Sequence, residues 1–199
     1  MPPPRAQKTG SLSPCPPHRE AIKTDGFPVK SDPSSSLAVL APGALAPSAW
    51  DDVRLQRLWL AAERRGWRSL AVVSASDSTD TLPIAALFAQ LSWRYRGQPS
   101  VVCDLRDLSM RLVDYHIREV REQADTGARV VIALRSIFEN PTSAPVAREA
   151  DAVVLCVNLG KTTFRAAEQT IKEIGRERIL GSILLGANRA NGAPPKDPR

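Results

Sequence analysis

Five short, almost wholly apolar runs recur through the middle of the chain, at residues 68–74, 100–104, 129–134, 151–157 and 179–185. Each is too short for a buried helix and shows no alternation of polar and apolar positions. A strand that is apolar at successive positions is buried on both faces, and that requires a parallel sheet covered by helices on each side. The intervening segments supply the helices: residues 81–94; 111–124, with Leu112, Tyr115, Ile117 and Val120 available for packing; a short Pro-containing stretch at 140–149; and 162–174. A further helix, residues 51–65, precedes the first strand; Val53, Leu55, Leu58, Trp59 and Ala62 make its apolar stripe, and Gly66 closes it. The pattern therefore predicts an α/β, three-layer sandwich with a mainly parallel sheet. No internal repeat interrupts it.

The first strand, loop and helix, residues 68–95, form the part around which the rest is organised. Asp80 or Thr81 can cap the helix, and Pro83 falls in its first turn, where a missing N–H costs nothing. Leu82, Ala85, Ala86, Ala89 and Trp93 fall on one face. A strand, a loop of this length and a helix N-terminus make the frame of a phosphate-binding P-loop. The loop itself, Ser74, Ala75, Ser76, Asp77, Ser78, Thr79, Asp80, Thr81 and Leu82, has neither the glycines that let backbone N–H groups converge on an anion nor the lysine that neutralises it. Asp77 and Asp80 add negative charge instead. Two unit charges ~4 Å apart repel by roughly 4 kcal/mol at an effective dielectric near 20. Taken alone, the stretch reads as an ordinary strand–helix crossover.

Other residues at the expected strand ends carry less specific signals. In LeuGlyLysThr, residues 159–162, a Walker-type match would need a glycine at position 155, which is Leu155. Thr162 or Thr163 reads first as a helix cap, with Lys161 and Thr162 as a second-choice anion site. Asp104 ends the second strand, where a carboxylate can hold Mg²⁺, orient water or cap a turn. Arg106 and Arg135 are candidate anion contacts. Asp104, Asp107 and His116 could each serve as a general base, but nothing singles one out, so no catalytic residue is assigned. No spacing of His, Cys, Asp or Glu suggests a metal site.

The formal charge is +6. The excess divides equally between the two tails and the body, so no basic stripe is evident and nucleic acid is not an expected partner. Residues 1–48 are rich in Pro and Ser and are expected to be a disordered tail, with 37–45 a linker. Residues 188–199 are expected to be a second disordered tail. Cys15, Cys103 and Cys156 form no framework, and His18 and His116 lie far apart. Buried thiols in a reducing compartment are expected. No apolar run approaches ~20 residues, and no h-region of a secretory signal is present.

The stretches AAERRGWRSLAVVSAS, residues 61–76, and ADAVVLCVNLGKTTFRAAEQTI, residues 150–171, resemble the bacterial tyrosine kinases of capsule and exopolysaccharide systems. That family belongs to the MinD/ParA-like group of P-loop proteins, and the resemblance covers residues 51–188. It implies a P-loop NTPase-like fold. It also implies a self-association face, because Asp51, Arg54 and Arg57 nearly match a Glu-x-x-Arg-x-x-Arg motif. The departures fall on the chemistry. Ser78 and Asp80 stand at glycines, Thr81 at the lysine and Leu82 at the Mg²⁺-binding hydroxyl. Asp104 matches the first aspartate of the second motif, but Arg106 stands at the next, and Ala133 or Leu134 fills the Walker B position. The C-terminal tyrosine cluster is missing. Only Tyr95 and Tyr115 occur in the chain.

The resemblance and its departures together imply a non-catalytic, cytoplasmic partner of a membrane-embedded polysaccharide chain-length or export protein. Such a partner would be peripheral at the inner membrane, would not insert into it, would self-associate and would need no cofactor. One alternative is a divergent protein-tyrosine kinase or phosphate-ester enzyme using ATP and Mg²⁺. Another, ranked last, is a ParA-like positioning protein.

Overall fold

The computed structural model describes residues 37–39, 53–77, 79–97 and 100–186. In chain order these form β1 (Leu37–Val39), α1 (Val53–Arg65), β2 (Ser69–Ser74), α2 (Leu82–Arg96), β3 (Ser100–Asp104) and α3 (Val113–Asp125). There follow β4 (Arg129–Leu134), α4 (Ser143–Glu149), β5 (Ala152–Asn158), α5 (Phe164–Ile174) and β6 (Ile179–Leu185). The sheet order is β1-β3-β4-β2-β5-β6. β3, β4, β2, β5 and β6 run parallel, as their apolar composition predicts. The expectation that 37–45 is a linker needs correcting at Leu37–Val39, which pairs antiparallel with β3 on the sheet's outer edge. The rest of both expected tails lies outside the described residues.

Strand order and handedness fix the layers. Parallel strands joined through a helix cross over right-handedly. From β2 the chain moves outward past β4 to β3, whereas the three later crossovers all move the other way. α2 therefore lies on one face of the sheet, and α3, α4 and α5 on the other. α1 fills the space beside α2. The α1–α2 side buries Trp59, Trp67, Leu70, Val72, Phe88 and Leu91. The opposite side buries Val73, Leu105, Val120, Ile132, Leu134 and Val146. β2 and β4 are buried along their whole length, while β6, at the edge, is only partly covered.

Three helical faces differ from expectation. α3 does not start at Arg111: a one-turn 3-10 helix, Met110–Leu112, comes first. This shifts the phase, so Val113, His116, Val120 and Ala124 point inward, while Leu112 and Tyr115 are half exposed. Val53 on α1 and Trp93 on α2, both expected in the core, are also about half exposed.

Cys103 and Cys156 are free and fully buried. Burial pushes each thiol up to about 12, and nearby Glu119 and Asp104 add to this for Cys103. At pH 8 only about one molecule in ten thousand would carry the thiolate at either position. Iodoacetamide at that pH is expected to leave both unmodified by peptide mapping, and denaturant to expose both.

Candidate functional site

The loop after β2 leaves toward the α1–α2 side, whereas the loops after its neighbours β4 and β5 leave toward the other. In open α/β sheets a ligand crevice forms at such a divergence, beyond the C-terminal strand ends. Here side chains of the protein tie the loops to one another. The Thr81 hydroxyl is fully buried and donates to the Leu134 carbonyl at 2.9 Å. Asp80 caps α2 by accepting from the Leu82 N–H at 3.1 Å. The Ser74 hydroxyl accepts from the Ser76 N–H at 3.2 Å. The Ser76 and Thr162 hydroxyls lie 2.6 Å apart, joining the loops after β2 and β5. Thr79 is buried, Asp77 exposed, and Ser78 lies outside the described residues.

Arg106 is the electrostatic centre of this end. Its Nε and one terminal nitrogen donate to the two oxygens of Asp104, at 2.8 and 2.7 Å. Its other terminal nitrogen donates to Asp80 at 2.7 Å. The guanidinium thus bridges the end of β3 to the cap of α2. Its hydrogen bonds hold the Asp104 carboxyl below the usual range, against the opposing effect of burial. The same pairing raises the guanidinium's own pKa. Arg135 pairs with Asp107 at 2.9 Å and lies 3.9 Å from Glu139. Both arginines read as anion contacts from sequence are therefore engaged by the protein's own acids. Asp104–Arg106 is an i, i+2 pair at a strand end, a signal present in the sequence. The Asn140 amide donating to the carbonyls of Arg106 and Leu108, at 3.2 and 3.0 Å, left no sequence signal.

LeuGlyLysThr forms a tight turn followed by a cap. Gly160 has φ +80°, a conformation that favours glycine. The Lys161 and Thr162 N–H groups donate to the Asn158 carbonyl, and the Thr162 hydroxyl accepts from the Asn158 N–H. Thr163 is the N-cap of α5, accepting from the Ala166 N–H at 3.2 Å. Lys161 lines an open groove of about 510 Å³ with Ser76, Asp77, Phe138, Thr163 and Ala166. It makes no ion pair with a described residue.

The remaining site residues lie apart from this end. His116 is buried, 2.9 Å from Glu119. Arg54 and Arg57 are exposed on α1, and Asp51 lies outside the described residues. Among the described residues no cluster of three or more His, Cys, Asp or Glu could hold a metal ion. No helix there is long and apolar enough to cross a membrane.

No protein-family profile matches the chain, and no curated protein matches it. Among solved structures, the kinase domain of Escherichia coli tyrosine kinase ETK is similar to it at a TM-score of 0.39 and 16% identity. That similarity covers 78% of this chain and 69% of the other.

Proposed function

We propose that this chain is a non-catalytic binding module built on the frame of a nucleotide switch. Its partner is a membrane-embedded polysaccharide chain-length or export protein. The observation that carries the first part is the Arg106 bridge. A nucleotide site needs its acid free to hold Mg²⁺ and its cations free to meet phosphate. Here Asp104 and Arg106 neutralise each other, Asp80 takes the remaining guanidinium nitrogen, and Thr81 faces a carbonyl. Support for the partner comes from the sequence resemblance over residues 61–76 and 150–171. Incubation with ATP and Mg²⁺ is expected to leave Tyr95 and Tyr115 unphosphorylated by mass spectrometry. Co-expression with an export protein encoded beside it is expected to carry the chain into the membrane fraction. Phosphotyrosine on the chain alone, or an entirely unbound chain in the co-expression, would overturn the reading.

One observation favours a second reading. Lys161, unpaired among the described residues, could hold a phosphate ester in its groove through charge alone. Retention of ATP consumption in the purified chain, lost in Lys161→Ala, would select it.

A further inference from the structure

The two edges of the sheet are built differently. At one edge β1 covers β3. At the other, β6 ends the strand order, and no described strand lies beyond it. β6 is seven residues long, Ile179–Leu185, and contains no charge and no proline. Edge strands are normally guarded by such residues or by a bulge, because their unpaired N–H and C=O groups invite another strand. A bulge guards only the start of this one. The register with β5 slips between Val153 and Val154, which leaves Leu180 as an extra residue. Gly181 to Leu185 then pair regularly with Val154 to Asn158.

One hydrogen bond sets the backbone phase of the open edge. The Leu159 N–H donates to the Leu185 carbonyl at 2.7 Å, so Leu185 faces β5. Backbone groups alternate along a strand, so Ile183 and Gly181 also face β5, and Ser182 and Leu184 turn theirs outward. Side chains alternate between the faces as well. Ile183 and Leu185 pack partly against the α1–α2 core. Leu184, on the other face, is 61% exposed. Leu159, 55% exposed, lies beside Gly186 at the end of the strand.

We propose that β6 pairs antiparallel with β6 of a second copy, about a two-fold axis through Ile183. That axis maps Gly181–Leu185 onto itself and leaves the bulge outside. Ser182 of each copy then faces Leu184 of the other. Both residues turn their backbone groups outward, so each pair exchanges two ladder bonds. The two Ile183 side chains meet in the close, non-hydrogen-bonded pair at the axis. No like charges oppose each other, because the strand carries none. Segments of the same chain fit this edge less well. Residues 187–199 contain three prolines and no β-branched or aromatic side chain, a composition that offers no strand. Residues 1–36 and 40–52 are interrupted by prolines. A foreign strand could use the same backbone groups, but the match of Ser182 to Leu184 and of Ile183 to itself is built into this segment. Two-fold pairing also closes, since each copy uses up its β6 edge and the dimer does not grow there. The inference involves neither the crevice nor Asp51, Arg54 and Arg57, and it does not depend on the partner reading.

Sedimentation equilibrium of the full chain is the test, and a monomer–dimer equilibrium without larger species is expected. Ser182→Pro deletes an outward N–H and leaves the pairing with β5 intact. Symmetry removes that bond twice, and each net ladder bond is worth about fivefold, so the dimer should weaken at least about 25-fold. Leu184→Lys, at an exposed position, should also weaken it, and circular dichroism checks both folds. Ile183→Cys should give a disulfide-linked dimer on mild oxidation, because side chains in such a pair lie within reach of one another. Leu184→Cys, which faces Ser182, should not. A chain still monomeric at about 100 µM would overturn the proposal. So would growth into longer assemblies, a dimer that both folded variants leave unchanged, or a cross-link that forms more readily through Leu184→Cys than through Ile183→Cys.

Discussion

Glu63→Gln is expected to destabilise the protein by about 3 kcal/mol, the lower end of what removing one partner of a buried ion pair costs. Glu63 lies at 9% side-chain exposure and Arg129 at 11%. Arg129 is enclosed by Trp67 and Trp59, its guanidinium carbon 4.5 and 5.7 Å from the two rings. Those rings soften the loss but do not replace a carboxylate. The urea midpoint should fall by about 1–2 M with little change in slope. Replacing both partners, Glu63→Leu with Arg129→Met, should recover most of the loss, because no charge is then left buried. A single variant within about 0.5 kcal/mol of the parent would show the pair to be dispensable.

The same acid contributes to pH dependence. Burial pushes Glu63 upward, but hydrogen bonds from Arg129 and Arg96 outweigh this and leave its pKa below 4.5. Asp151 behaves alike: burial raises it, and donation from the Ser69 and Arg68 N–H groups and the Ser69 hydroxyl brings it below 3.8. A carboxyl depressed in the folded state adds stability that is complete above its unfolded pKa. That stability is lost as pH falls through the folded value. With Asp104 also lowered, stability should be level near neutrality and decline as pH drops below about 4.5.

Arg106→Ala should cost about 1–2 kcal/mol and, more specifically, loosen the loop after β2. The guanidinium is about three-quarters buried, but Asp80 is 59% and Asp104 37% exposed, so solvent screens part of each interaction. Without it, two carboxylates face each other and the cap of α2 loses its tie to β3. Hydrogen exchange in residues 75–81 should quicken about tenfold, while β4 and β5 are unaffected. Arg106→Lys should fall between, since an ammonium cannot hold Asp104 through two parallel bonds and reach Asp80 as well. Uniform acceleration across the sheet would mean that Arg106 supports the whole fold rather than this loop.

The strands were legible because burial on both faces leaves a continuous apolar run, Leu70 to Val73 in β2 and Val130 to Leu134 in β4. Phases of helices were less so. Leu112 and Tyr115 look inward on a helix begun at Arg111, but the 3-10 turn rotates them outward, and only the packed structure sets that start. Val53 and Trp93 fit an apolar stripe by spacing yet sit beyond the part their neighbours cover. At the crevice, the missing glycines and lysine could be read directly. What Arg106 does could not: an arginine near strand ends suits an anion or an acid equally, and only the fold brings Asp80 to it.

The central claim is that the protein's own side chains occupy the place of a nucleotide's phosphates and metal. Isothermal titration of the intact chain with ATP and Mg²⁺, repeated with ADP, tests it most directly. No heat beyond dilution is predicted, corresponding to a dissociation constant weaker than about 1 mM. Stoichiometric binding near 10 µM or tighter, a constant of roughly −7 kcal/mol, would contradict it.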